Sequence, residues 1–137
     1  MKTKINKLIP YLNFEGNCEE ALNYYKDILG GTVEILVRYD HSPIIVPDNF
    51  KDKVLHGRLS FGNLEIFASD ISPESPAKKN SGDVALSLEV SNVENGIKIF
   101  NHLAEAGTIL VPFEKQFWGA WHGNAIDKYG IRWMVNC

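Results

Sequence analysis

The chain is short of cysteine, of clustered basic residues and of long apolar runs, and each shortage removes a class of protein. Only two cysteines occur, Cys18 and Cys137. They stand far apart at no ligand spacing, which excludes a thiolate metal cluster and fits free thiols better than a disulfide framework, with a single bridge left open. Lysine and arginine number 14 against 17 aspartate and glutamate, a net charge of -3. The only Lys-Lys pair, Lys78-Lys79, falls in a Pro/Ser-rich stretch rather than on a basic stripe, so no nucleic-acid partner is expected. No segment reaches the roughly 20 apolar residues of a membrane span, and Met1 to Leu8 offers lysines without a signal-length apolar run. The expectation is a cytoplasmic protein with no membrane partner. Gly-x-Gly-x-x-Gly, phosphate-loop, His-Glu-x-x-His, Gly-x-Ser-x-Gly and Cys-x-x-Cys motifs are all missing, which removes the chemistries they serve.

What the chain does have is the same half twice. Leu12 to Gly31 and Leu88 to Gly107 each run apolar strand, amphipathic helix, glycine, the mark of an internal duplication. Ala21, Leu22, Tyr25 and Ile28 in the first copy match Gly96, Ile97, Phe100 and Leu103 in the second, both with the three- and four-residue steps of a helix with one buried face. Gly31-Thr32 and Gly107-Thr108 then lead into the strand-like runs Val33–Val37 and Ile109–Val111. His56-Gly57 precedes the strand Leu64–Ala68, as His122-Gly123 precedes Ile131–Val135. Each half reads βαβββ. With 137 residues the chain buries roughly two thirds of its unfolded surface and needs no metal or disulfide staple. We therefore expect one domain over 1–137, with modules at 5–71 and 84–137 joined by a linker at 72–83 whose prolines, serines and charges oppose a packed structure. An insertion at 40–53 carries Ile44, Ile45, Val46 and Phe50 between prolines, the pattern of a loop that covers a pocket mouth or a partner subunit.

Strand parity separates two faces. Leu8, Leu12 and Phe14 point to the helix, and Tyr11, Asn13 and Glu15 away from it; Val84, Leu86, Leu88 and Val90 likewise oppose Ala85, Ser87 and Glu89. His56, Arg58 and Ser60 share the polar side, as do Arg132 and Met134 against core Trp133. The count from Gly62 puts Ile66 on that side too, which would place Glu65 under the helix unless a bulge intervenes. If the two sheets curl toward one another, Tyr11, Asn13, His56, Arg58, Ser87, Arg132 and Met134 line a cup suited to a ligand. Phe117, Trp118 and Trp121 add flat aromatic walls, and His122 echoes His56. His56 is the candidate acid-base group, since imidazole titrates near neutrality. Arg58 and Arg132 favour an anionic ligand. Asp70 and Asp127, beside turns, read as backbone acceptors, with a capping role for Asp127.

The helix Ala21–Gly31, with Tyr11-Leu12-Asn13-Phe14-Glu15-Gly16-Asn17, Ala68-Ser69-Asp70 and the run Phe117-Trp118-Gly119-Ala120, Asp127, Tyr129-Gly130 and Trp133-Met134-Val135-Asn136, resembles the vicinal oxygen chelate superfamily of glyoxalase I, extradiol dioxygenases and the bleomycin- and fosfomycin-resistance proteins. The match is closer to its PhnB-like branch. The resemblance implies an α+β fold of two tandem βαβββ modules, mixed sheets forming an open cup with the helices outside, and a homodimer. It also implies a divalent metal held by His, Gln or Glu. The strand-1 ligand position falls at Pro10 or Tyr11 and its counterpart at Ala85, while the C-terminal position falls at Met134 and its counterpart at Ile66. None of these is an ordinary divalent-metal ligand. No inherited metal site and no cofactor are therefore expected. The leading expectation is a dimeric small-molecule binder for an aromatic or anionic ligand; the alternative is a lyase, isomerase or dioxygenase-like enzyme with a metal gathered around His56, Glu65 and His122. Members of the branch have carried a methyltransferase label, which is rejected here because the chain lacks the glycine-rich strand-helix turn of a methyl-donor pocket.

Overall fold

The computed structural model describes residues 3–72 and 84–137. It falls into two compact units, Met1–Ala77 and Lys78–Cys137; the expected linker lies outside the described residues apart from Ser72. The first unit runs β1 (Tyr11–Phe14), α1 (Cys18–Leu29), β2 (Thr32–Arg38), two short 3-10 turns, β3 (Val54–Phe61) and β4 (Leu64–Asp70). The second runs β5 (Leu86–Glu89), α2 (Val93–Ala104), β6 (Thr108–Lys115), β7 (Trp121–Ile126) and β8 (Arg132–Asn136). Each forms a mixed four-stranded sheet, ordered β1-β4-β3-β2 and β5-β8-β7-β6, with β1–β4 and β5–β8 parallel and the other pairs antiparallel. The expected βαβββ modules are present, each with its helix against one face of its own sheet.

The repeated glycines mark where backbone meets backbone or helix meets sheet. A Cβ at Gly31, whose φ is +94°, would lie 1.9 Å from the Ser60 carbonyl oxygen, and one at Gly107 would lie 2.2 Å from that of Ile126. Only glycine lets β2 and β6 start that close to the neighbouring strand. Gly57 and Gly123 lie beneath the helices: added Cβ atoms would meet Leu22 Cδ1 at 3.0 Å and Phe100 Cε1 at 2.6 Å. Because side chains alternate along a strand, a glycine turned toward the helix turns the preceding histidine to the open face. Pro112 is tolerated in β6 because that strand is an edge, with its register slipping between Val111 and Glu114.

Several expected positions differ. Leu8, Val84 and Ile97 are exposed rather than core, since Leu8 and Val84 precede their strands and Ile97 lies at the rim of the α2 stripe. In α1, Ile28 is half-buried and Cys18 joins Ala21, Leu22 and Tyr25 in the core; its thiol pKa is pushed far up, first by burial and then by the Asp70 carboxylate. Both cysteines are free. Ile66 packs on the helix side and Glu65 turns the other way, to Lys7 at 2.9 Å. The β3–β4 register runs unbroken from Gly57–Ala68 to Phe61–Leu64, so no bulge is needed. In the insertion, Phe50 is buried against Tyr39, while Ile44 and Ile45 are exposed.

Candidate functional site

Equivalent strand positions place two polar trios on the open faces of the modules. Tyr11 pairs in register with Phe67, and Ser87 with Met134. Ser87 is therefore the counterpart of Tyr11, not Ala85, and Phe67 the counterpart of Met134, not Ile66. By the same register Ser69 matches Asn136, and His56 matches His122. In the first module the Tyr11 hydroxyl bonds Ser69 Oγ and lies 3.3 Å from His56 Nδ1, with the Tyr11 and His56 rings stacked at 5.9 Å. In the second, His122 Nδ1 lies 2.7 Å from Asn136 Oδ1, and Asn136 Nδ2 donates to Ser87 Oγ at 2.8 Å.

Trp118, Trp121 and His122 come together in the second module. With Glu89, Val90, Ala120, Asn136 and Cys137 they border a cleft of about 320 Å³. The Trp118 ring is half exposed, 6.5 Å from the His122 ring, and Phe117 meets it edge-on at 4.9 Å while projecting almost wholly into solvent. Asn136, Cys137 and Glu89 were missed as site residues. Counting from the His-Gly steps lands one residue short of Asn136, at Val135; the strand pairings Gly57–Ala68 and Gly123–Val135 are what match Ser69 with Asn136.

The other sequence candidates are placed differently. Asn13 is exposed on β1 opposite Ser69. Arg58 donates to Glu34 at 2.9 Å, and Arg132 Nε to Asn124 Oδ1 at 3.0 Å. Each guanidinium thus has one N–H turned to a neighbour in its own sheet, while Arg58 Nε is buried without a hydrogen-bond partner. Met134 lies on the open face opposite Ser87 and Asn124.

Asp70 and Asp127 are structural acceptors. Asp70 is 1% exposed and accepts from the backbone N–H groups of Gly16, Cys18 and Val54 at 2.8–2.9 Å. Its carboxylate covers the positive N-terminus of α1. Asp127 accepts from the Tyr129 and Ile131 N–H groups and from Trp133 Nε1, the turn-capping role expected of it.

Donor chemistry at the superfamily's metal positions is weak. Glu65 stands opposite Ser60, four residues along β3 from His56, which at about 3.4 Å per residue separates them by roughly 13 Å. Glu65 is held by Lys7, whose ammonium keeps its pKa lowered. Among the described residues no three His, Cys, Asp or Glu side chains are grouped to hold a metal ion. Nor is any helix among them long and apolar enough to cross a membrane.

Comparison with known proteins places these features. Residues 6–136 match the family model described as 3-demethylubiquinone-9 3-methyltransferase. Protein YjdN of Escherichia coli is 30% identical over 139 residues, covering 94% of this chain and 93% of that one. The crystal structure of PA1353 from Pseudomonas aeruginosa is 39% identical with a TM-score of 0.86, covering 97% of this chain and 98% of that chain. A PhnB protein from Bacillus cereus is 26% identical with a TM-score of 0.79, over 95% and 98% of the two chains. A glyoxalase/bleomycin resistance protein/dioxygenase family enzyme from Burkholderia phytofirmans, 15% identical over 92% and 94% of the chains with a TM-score of 0.62, shares the fold.

Proposed function

This chain belongs to the PhnB-like family described as 3-demethylubiquinone-9 3-methyltransferase, within the vicinal oxygen chelate superfamily, and on that footing we propose that it is a small-molecule-binding protein that works without the superfamily's inherited metal. The observation that carries this reading is the cleft bordered by Trp118, Trp121, His122 and Asn136. Its volume is that of a small ligand site, and its indole faces suit a flat aromatic molecule. A neutral aromatic ring is favoured over an anion in this cleft, because Glu89 borders it and neither Arg58 nor Arg132 does. On the first module the Tyr11, His56 and Ser69 face is the matching surface, with His56 as the group able to move a proton. The protein is further read as a cytoplasmic homodimer, for which the exposed Ile44 and Ile45 offer an apolar surface.

Metal-dependent chemistry and methyl transfer do not enter this reading. The residues at the inherited metal positions, Tyr11 and Ser87 on the first strands and Phe67 and Met134 on the last, are poor donors for a divalent ion. A methyl donor of the nucleoside type is commonly seated at a glycine-rich turn opening a helix beside a parallel sheet. Here only β1 and β4 run parallel in the first sheet, and the N-terminus of α1 is already met by Asp70.

Titration with a panel of neutral aromatic compounds, read by tryptophan fluorescence, tests the proposal. Binding should weaken about ten-fold in Trp118→Ala while the unfolding curve is unchanged. Binding indifferent to that change would overturn the cleft, and near-stoichiometric metal lost on His56→Ala would overturn the metal-free reading.

A further inference from the structure

Both modules contain a device that fixes which nitrogen of an imidazole carries the proton. A backbone carbonyl can only accept a hydrogen bond, so a carbonyl at one end of a polar chain sets the direction of every proton along it. Asn136 Nδ2 approaches the Leu88 carbonyl at 3.3 Å as well as Ser87 Oγ at 2.8 Å. The atom facing a carbonyl must be the amide nitrogen, which leaves Oδ1 facing His122 Nδ1 at 2.7 Å. An amide oxygen only accepts, so Nδ1 carries the hydrogen. A neutral imidazole has one N–H, and Nε2 of His122 is therefore a bare lone pair.

The first module reaches the same result with different residues. Ser69 Oγ donates its single hydrogen to the Leu55 carbonyl at 2.6 Å and must accept from the Tyr11 hydroxyl. The Tyr11 oxygen then accepts from His56 Nδ1. Among the described residues neither histidine has a hydrogen-bond partner at Nε2. His122 borders a cleft with an aromatic wall, where Glu89 adds a second acceptor.

We propose that His122 presents Nε2 to this cleft as the acceptor for a bound phenol-type molecule, one that donates an O–H from an aromatic ring lying against Trp118, with Asn136 as the positioning residue. This rests on the cleft being a ligand site and names the ligand's chemistry. Two-bond proton–nitrogen spectra of the full chain at about pH 8, where imidazole is neutral, read the tautomer directly. Paired titrations with phenol and anisole, which keeps the ring and oxygen but not the O–H, read the acceptor.

The expected result is an Nδ1–H tautomer at both His56 and His122, with phenol bound roughly five-fold more tightly than anisole. Asn136→Leu should mix the His122 tautomers and bring the ratio toward one, while Asn136→Asp, which keeps an acceptor, should retain Nδ1–H. An Nε2–H tautomer at His122 in the unmutated chain, or equal affinities for the two probes, would overturn the proposal alone. Binding of neither probe would overturn the cleft as a ligand site and this proposal with it.

Discussion

The two modules solve the same end-of-helix problem at different ranges. In the first, Asn17 makes no side-chain cap, and the N–H groups at the start of α1 are met by Asp70, 52 residues further along the chain from Cys18. In the second, Asn92 caps α2 locally by accepting from Asn95 N at 2.8 Å. The register supplies the reason. The place equivalent to Asp70 is Cys137, a poor acceptor, so the second helix relies on its own first turn. A duplicated unit thus keeps its topology while exchanging a long-range contact for a local one, and the two exchanges should differ in cost.

The largest test of that difference is Asp70→Ala. It strands three N–H groups, those of Gly16, Cys18 and Val54, and should cost about 3 kcal/mol or more in urea unfolding. Asn92→Ala should cost only about 1 kcal/mol; equal losses would break the comparison. Next come the helix-facing glycines. Gly123→Ala pushes a methyl against the Phe100 ring at 2.6 Å, whereas Gly57→Ala meets the end of Leu22 at 3.0 Å. A ring held in the core yields less than a terminal methyl, so the first should cost about 2 kcal/mol and the second under about 1.

A smaller, stabilising change sharpens the same comparison. Ala106 holds φ of +58° at the place where the first module has Gly30. Ala106→Gly should raise stability by roughly 0.5–1 kcal/mol, because the left-handed region strains an L side chain. The smallest effect belongs to the exposed pair Arg38–Glu19, present in the first module at 2.9 Å. The hydrogen bond from Arg38 is the main cause of the lowered Glu19 pKa. A lowered carboxylate stabilises fully above the ordinary glutamate value of 4.5 and loses that contribution as pH falls through its folded value. Arg38→Ala should therefore cost about 0.5 kcal/mol more near neutral pH than in acid, where only its bond to the Asp52 carbonyl is lost, as thermal melts across pH would read.

Much of the fold was legible because repetition and parity are local. The helix stripes, the His-Gly steps and the alternation of Leu12 and Phe14 against Tyr11 and Asn13 all follow from 3.6- and 2-residue periods. The site was less so. Counting from Gly62 sent Ile66 to the wrong face, because the turn into β4 is shorter than the Asp127–Gly130 turn into β8, and only strand pairing restores the register. That Arg58 meets Glu34 and Arg132 meets Asn124 was not visible either, because a sequence does not show which strands are neighbours. Asn136 entered only as part of the C-terminal family run, because an amide near the end of a strand does not by itself show what it faces.

The sequence alone determined the duplicated βαβββ plan, the helix faces and the glycines that let strands and helices approach, since each depends on neighbours a few residues away or on an internal repeat. Tertiary structure decided that Asp70 serves the first helix, that Arg58 meets Glu34 and Arg132 meets Asn124, and that Trp118, His122 and Asn136 share one cleft. Those outcomes depend on which strand hydrogen-bonds to which, and pairing across 50 or so residues is set by the burial of whole faces rather than by any local preference.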